Sequence, residues 1–269
     1  MFSKTQLAKK YIRYYFNSSN GKGHGIHSPF VFDFITKILN DKNKYACYDK
    51  IESLRNKLLS DETILEIEDF GAGSRVNATN KRKVSAVAKS ALKQKKFGRL
   101  LFRLVQYYQP KNILELGACF GITTSYLSFG NQTAQVFTME GAKQITKVAK
   151  TNFEKLGLNN IKLIEGNFDN TLPSFIQQLK QQNLQLDFIF IDGNHRYEPT
   201  VRYFNDLLQV VNDNTILIFD DIHWSEEMER AWKEILLNER ITLSIDLFFI
   251  GIVFFRKENK VKQDFIIRF

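Results

Sequence analysis

Asn112–Gly121 reads NILELGACFG, a short buried-strand pattern running into a glycine turn, and Thr123 to Ser128 then starts a helix. The acid Glu115 stands at the carboxyl end of the strand, and Gly117 and Gly121 occupy the turn. Open α/β sheets bind ligands at that edge, where strand order reverses. Glycine permits tight backbone geometry and close approach of a ligand to main-chain N–H groups, while the acid can receive a cationic or hydroxylated part of it. The third glycine of a G-x-G-x-x-G dinucleotide fingerprint is missing.

The same alternation continues outward from this stretch. FGRLLFRLVQYY precedes it as a helix; AQVFTME follows as a strand and AKQITKVAKTNFEKLG as a helix ending at a glycine suited to a C-cap. IKLIEG, LDFIFID and NTILIFD read as further strands, separated by the helices SFIQQLKQQ and PTVRYFNDLLQVV. After EEMERAWKEILL, the runs ITLSIDLF and GIVFFRK lie a turn apart, which suits an antiparallel hairpin. The pattern predicts an α/β fold: a Rossmann-like, doubly wound, mostly parallel seven-stranded sheet with a C-terminal antiparallel hairpin and an N-terminal helical extension. The break falls near residue 95. Residues 1–94 are expected to form a mainly helical cap or substrate region, with amphipathic helices on either side of the loop GKGHGIHSP, and 95–269 the main domain.

A chain of 269 residues that is 43% hydrophobic can bury a substantial core. It holds no run of eighteen apolar residues and no signal-peptide pattern at its start, so no membrane span and a cytoplasmic location are expected. Cys47 and Cys119 have neither metal-ligand spacing nor a disulfide framework, which suits a reducing compartment. The formal charge of +9 admits RNA or an acidic membrane surface as partner. The densest basic tract, Lys81 to Arg103, has apolar residues at helical spacing and reads as a solvated helix face; no RNA-binding module and no N/D-P-P-Y/F signature is present.

The turn E-x-G-x-x-x-G, from Glu115 to Gly121, resembles motif I of S-adenosylmethionine (SAM)-dependent methyltransferases, which implies SAM as cofactor. A competing turn lies upstream in TILEIEDFGAGSR, with Asp69, Gly71 and Gly73. A ribose-binding acid is expected about 20 residues on, at the end of the next strand. Glu140 meets this for the loop at 115 to 121, whereas only a basic helix follows Gly73, so the upstream turn is read as structural or substrate-side. In the methyltransferase family the next strand end flanks the adenine, which assigns Gly166, Asn167 and Phe168 to cofactor binding.

Two further strands end in acids: Asp192 closes the fourth, and Asp220 and Asp221 close the fifth. Carboxylates gathered at one edge repel and raise one another's pKa, a conflict that a bound divalent cation resolves, and oxygen ligation suits Mg²⁺ or Ca²⁺. Across most of residues 95 to 225 the chain resembles the cation-dependent catechol and caffeoyl-CoA O-methyltransferases. That resemblance implies Asp192, Asp220 and Asp221 as metal residues, with Asp192 also beside the cofactor, and Mg²⁺ as the ion. The chain departs from the family with Asp221 where Asn is usual and His195 where Lys is usual. His195 is then expected as the proton acceptor beside Asp192, with His223 as the alternative base. His24 and His27 are candidates to line the acceptor pocket, and Tyr197 and Trp224 to form its walls. The expected activity is SAM-dependent O-methylation of a small hydroxylated molecule, cation-assisted, by a chain whose family resemblance suggests a homodimer. RNA methylation and non-catalytic binding of SAM or its product are the alternatives.

Overall fold

The computed structural model describes residues 1–67 and 81–269, so the turn at Asp69, Gly71 and Gly73 lies outside the described residues. In chain order the elements begin with α1 (Lys4–Asn17), α2 (Pro29–Asp33) running on as a π-helical segment (Phe34–Leu39), α3 (Ala46–Leu59), β1 (Ile64–Glu66), β2 (Lys81–Lys83), α4 (Val84–Ala91) and α5 (Lys95–Tyr108). The alternating part follows as β3 (Asn112–Leu116), α6 (Ile122–Gly130), β4 (Gln135–Glu140), α7 (Lys143–Leu156), β5 (Ile161–Glu165), α8 (Phe168–Gln181), β6 (Leu186–Ile191), α9 (Tyr197–Leu207) and β7 (Val211–Asp220). Last come α10 (Glu226–Ile235), β8 (Leu243–Asp246), β9 (Ile250–Phe254) and β10 (Gln263–Ile266). The chain divides into two compact units, one of Met1–Asp41 with Gln178–Phe269 and the other of Lys42–Gln177.

In the unit of residues 42–177, β3, β4 and β5 pair in parallel, with Leu116 opposite Met139 and Glu140 opposite Glu165. The loops after Leu116, Glu140 and Glu165 therefore leave from one edge. Ile113, Leu114, Leu116, Val136 and Met139 are fully buried, as expected for parallel strands covered on both faces. The basic tract from Lys81 is not one helix. Lys81–Lys83 pair with Ile64–Glu66 as a short antiparallel ladder, and α4 and α5 follow as separate helices. Val84, Val87 and Ala88 on α4 pack into a core with Tyr48, Ile51, Leu54 and Leu58 of α3, which turns Lys89 outward.

In the unit of residues 1–41 and 178–269, β6 and β7 are parallel with Ile191 opposite Phe219, β9 runs antiparallel to both β7 and β8, and β10 is parallel to β8. The predicted hairpin is thus present. Among the described residues the main sheet has eight strands, not seven, because β10 was not expected. Helix α1 opens with a capping box, Ser3 Oγ accepting from the Gln6 N–H while Gln6 Oε1 accepts from the Ser3 N–H. Its Tyr14 hydroxyl donates to the Ile267 carbonyl. Beyond α1, the Ser19 N–H donates to the Ile266 carbonyl at 2.8 Å and the Arg268 N–H to the Ser19 carbonyl at 3.1 Å, so this segment runs beside the end of β10. No helix among the described residues is long and apolar enough to cross a membrane.

Candidate active site

The candidate residues fall into two groups, one in each unit. In residues 42–177, the loop leaving β3 folds back on the end of β4: the N–H groups of Gly117 and Ala118 donate to the Met139 carbonyl at 3.0 and 3.1 Å. The Cys119 N–H donates to Glu140 Oε2 at 2.9 Å, and the Ala142 N–H to Glu140 Oε1 at 3.0 Å. Gly121 has φ +78°, and a Cβ there would lie 2.3 Å from Phe153 Cε1, so both the turn and the packing of α7 require glycine. Asn152, buried on α7, donates to the Phe120 carbonyl at 2.9 Å and holds the loop from behind.

The two acids of this edge have different surroundings. Glu115 is fully buried, and its Oε2 accepts from the Thr124 hydroxyl and, at 2.6 Å, from the Thr138 hydroxyl. It braces β3 against α6 and β4. Glu140 is half-buried at the loop itself. Burial pushes its carboxyl above the usual range, opposed by the backbone N–H groups of Ala142, Cys119 and Gly141. One strand further, Gly166 has φ +138° and donates its N–H to the Glu140 carbonyl at 2.9 Å. Asn167 Oδ1 accepts from the Asp169 N–H at 3.0 Å at the start of α8, and Phe168 is half-buried. Glu140, Gly166 and the loop 117–121 are therefore brought to one edge. Glu115 points into the core, and Thr124, Thr138 and Asn152 join as supports that sequence reasoning missed. Thr138 is a polar residue in the otherwise apolar run QVFTM, directly opposite Glu115, and that is the signal that could have found it.

In the other unit, the register that sets Ile191 opposite Phe219 brings the next residues, Asp192 and Asp220, out side by side. One ligand atom from each of Asp192, His195 and Asp220 lies within 4.8 Å of the other two. His195 Nε2 stands 3.5 Å from Asp192 Oδ1. Asp220 is 1% exposed, while the Asp192 and His195 side chains retain 15% and 21% exposure, so the group opens on one side. Asn194 and His195 have φ +68° and +44°, and the His195 N–H donates to the Gly193 carbonyl at 2.9 Å; this turn folds the imidazole back over the strand ends. The Trp224 ring meets His195 edge-on at 5.8 Å. Two carboxylates and an imidazole in this arrangement suit a divalent cation, whose charge the two aspartates would balance.

Asp221 does not join this group. Its backbone, at φ +53°, donates to the Phe249 carbonyl at 2.6 Å, and its own carbonyl accepts from the Trp224 N–H at 2.9 Å. His223 has both ring nitrogens engaged, Nε2 at 2.7 Å from Asp246 Oδ2 and Nδ1 at 3.1 Å from Glu229 Oε1, which also accepts from Lys10 Nζ at 2.9 Å. Burial alone would lower its pKa, but the contacts with Asp246 and Glu229 outweigh that and raise it. With a carboxylate at each ring nitrogen, and Lys10 on Glu229, His223 ties α1 and α10 to β8. Tyr197 lies under Arg230, 3.7 Å from the guanidinium carbon to the ring centroid, and donates to Glu234; it belongs to the α9–α10 contact. His24 and His27 are exposed.

Residues 114–222 match the family model described as a methyltransferase domain. A catechol O-methyltransferase of Niastella koreensis is 28% identical over 127 residues, 46% of this chain and 55% of that protein. The chain thus spans about half the length of that relative. Among solved structures, the SAH-bound methyltransferase of Podospora anserina superposes with a TM-score of 0.59 at 14% identity, covering 96% of this chain and 98% of that one. The O-methyltransferase of Bacillus cereus in complex with SAH gives 0.54 at 20% identity, covering 84% and 97%. Those two likenesses speak for the fold. Residues 114–222 thus match a methyltransferase domain, in a chain that has a Rossmann-like fold and is similar to a catechol O-methyltransferase.

Proposed function

We propose that this chain transfers a methyl group from SAM to a hydroxyl oxygen of a small molecule, with a divalent cation at the acceptor. The observation that supports this most is the tie between the glycine loop and Glu140, inside a segment that matches a methyltransferase domain from β3 to just past β7. Glu140 would accept the hydroxyl hydrogens of the cofactor's ribose, and the glycine loop 117–121 would let the cofactor approach the main chain. Gly166, Asn167 and Phe168 would border the adenine, Phe168 offering a ring face and Asn167 its amide. Glu115 acts through the loop by fixing β3, α6 and β4.

SAM supplies the sulfonium methyl, and a divalent cation supplies a lowered pKa for an acceptor hydroxyl that is otherwise mostly protonated at neutral pH. Asp192 and Asp220 would hold that ion, which would place the acceptor oxygen for transfer, and alignment of this kind supplies much of the rate gain. Asp221, expected beside them, is assigned no ligand role. Acceptor choice is assigned to the N-terminal region 1–94. A cytoplasmic location and a homodimer accompany this reading as proposals.

A second reading, methylation of RNA, is favoured by one observation. All of the +9 charge belongs to residues 42–177, with 21 Lys and Arg against 12 Asp and Glu; the other unit has 17 of each, making 38 and 29 in all.

The deciding experiment incubates the full chain with labelled SAM and a metabolite extract and identifies the labelled product. A labelled small hydroxylated compound supports the first reading, and labelled RNA the second. Binding of S-adenosylhomocysteine (SAH) is measured alongside; at 100 times its Kd it should add about 2.7 kcal/mol of stability. Stabilisation by NAD in its place would overturn the cofactor assignment.

A further inference from the structure

We infer that His195 is an ion ligand, not a base, and that Asp192, His195 and Asp220 together favour a divalent transition metal, Fe²⁺, Co²⁺ or Zn²⁺ above all and Mn²⁺ less strongly, over Mg²⁺. The inference deepens the proposed function, and rests on it only for the use to which the ion is put.

Distance is the first argument. A histidine oriented by a carboxylate for proton transfer sits at hydrogen-bond range, about 2.6 to 3.2 Å. His195 Nε2 and Asp192 Oδ1 are 3.5 Å apart, beyond that range. Atoms that share an ion at about 2.0 to 2.2 Å stand roughly 3 Å apart as cis octahedral ligands, about 3.5 Å apart as tetrahedral ones and at most about 4.4 Å apart when trans. The 3.5 Å separation falls within ligand spacing, and the 4.8 Å bound on the whole triad is met by adjustments of a few tenths of an ångström.

The second argument is which residue supplies the third donor. Asp221 directly follows Asp220 and would have completed an all-oxygen set, but it lies outside the group. Its backbone is committed to Phe249 and Trp224. The third donor comes from the other strand end, His195, on a turn in which two successive residues have positive φ. Trp224, from the segment after β7, sets its ring against that imidazole.

The third argument is donor chemistry. Mg²⁺ prefers oxygen donors in a near-ideal octahedron and keeps several waters, whereas imidazole nitrogen suits Fe, Cu, Ni and Zn. Exchanging one oxygen donor for nitrogen while keeping two carboxylates leaves the charge balanced for a divalent ion and moves the preference toward the transition series.

The test uses the full chain, stripped with chelator and reloaded with Mn²⁺ or Co²⁺ alone. Mn²⁺ bound here should show imidazole-nitrogen coupling in pulsed electron paramagnetic resonance, and Mg²⁺ should displace Mn²⁺ and Co²⁺ poorly in competition. In His195→Gln the nitrogen coupling should vanish and Mn²⁺ affinity fall by at least the roughly tenfold that even outer-shell partners cost, with Mg²⁺ affinity changing less. Asp192→Asn should weaken both ions. Manganese bound without nitrogen coupling, Mg²⁺ competing on equal terms, or no ion sensitive to Asp192→Asn would each overturn the inference. The coupling is read on the unmutated chain, so it does not depend on a variant folding. SAH calorimetry on the same sample is a separate reading: no SAH binding would sink the proposed function, while the nitrogen coupling stands or falls by itself.

Discussion

The backbone N–H of Cys119 donates to Glu140 Oε2, so the turn after β3 and the last residue of β4 are one unit of structure. Replacing Glu140 with Gln keeps an acceptor for one N–H but removes the charge that the ribose hydroxyls are proposed to meet. A hydrogen bond to a charged group contributes about 1.5 to 3 kcal/mol, so Kd for SAH should rise roughly 10- to 150-fold in calorimetry. An unchanged Kd would remove Glu140 from the cofactor site.

The raised pKa of Glu140 adds a pH dependence. Burial favours its neutral form, so the carboxyl takes up a proton at a higher pH than an ordinary glutamate, whose value is 4.5. A protonated carboxyl is a poorer acceptor for hydroxyl donors. SAH affinity should therefore weaken as pH falls toward that raised pKa, and the fall should disappear in Glu140→Gln. Calorimetric titrations at a series of mildly acidic pH values decide this; parallel profiles for the two proteins would refute it.

Thr138→Val removes a hydroxyl donor from the buried Glu115 carboxylate without touching the loop. We expect a loss of about 1.5 to 3 kcal/mol in denaturant unfolding, with SAH affinity per folded molecule unchanged. A large rise in Kd at normal stability would mean that Glu115 meets the cofactor directly.

Gly121→Ala forces an L residue to positive φ, about 1 to 2 kcal/mol, and drives a methyl group into Phe153, about 1 to 3 kcal/mol more. The melting temperature should fall by several degrees. Adding Phe153→Leu should recover only the packing share, and full recovery would show that the turn conformation carries no cost.

His223 predicts a pH-dependent stability of the opposite sense to that of paired carboxylates. Its folded pKa is raised above the ordinary 6.5, so its stabilising charge is fully present below that value and is lost as pH rises through the folded pKa. Unfolding curves should show stability declining through that alkaline-side window in the native chain. His223→Gln should flatten the decline; the same slope in both proteins would assign it to other groups.

The strand ends were legible because buried parallel strands are continuous apolar runs: LDFIFI stops at Asp192 and TILIF at Asp220, and register then does the rest. What an acid does at a strand end was less legible. Glu115 and Glu140 look alike in sequence, yet two threonines, one across the register and one on the next helix, draw Glu115 inward. The fate of His223 depended on Glu229 and on Asp246 of β8, partners that only tertiary packing supplies. Strand β10 is illegible in sequence because its four residues, two half-buried and two exposed, follow a charged turn and form no apolar run, and it exists by pairing with β8 and the segment after α1.

That last pairing has a consequence for biosynthesis. Tyr14 and Ile267, bonded in the folded chain, stand 253 positions apart. Residues 42–177 form a continuous stretch that can fold as it leaves the ribosome, but Tyr14, the buried side chain of α1, must wait for its hydrogen-bond partner until residue 267 has been made. Nascent chains arrested before residue 260 should already protect the segment from α5 to β5 from protease, while α1 should reach full protection only once β10 emerges.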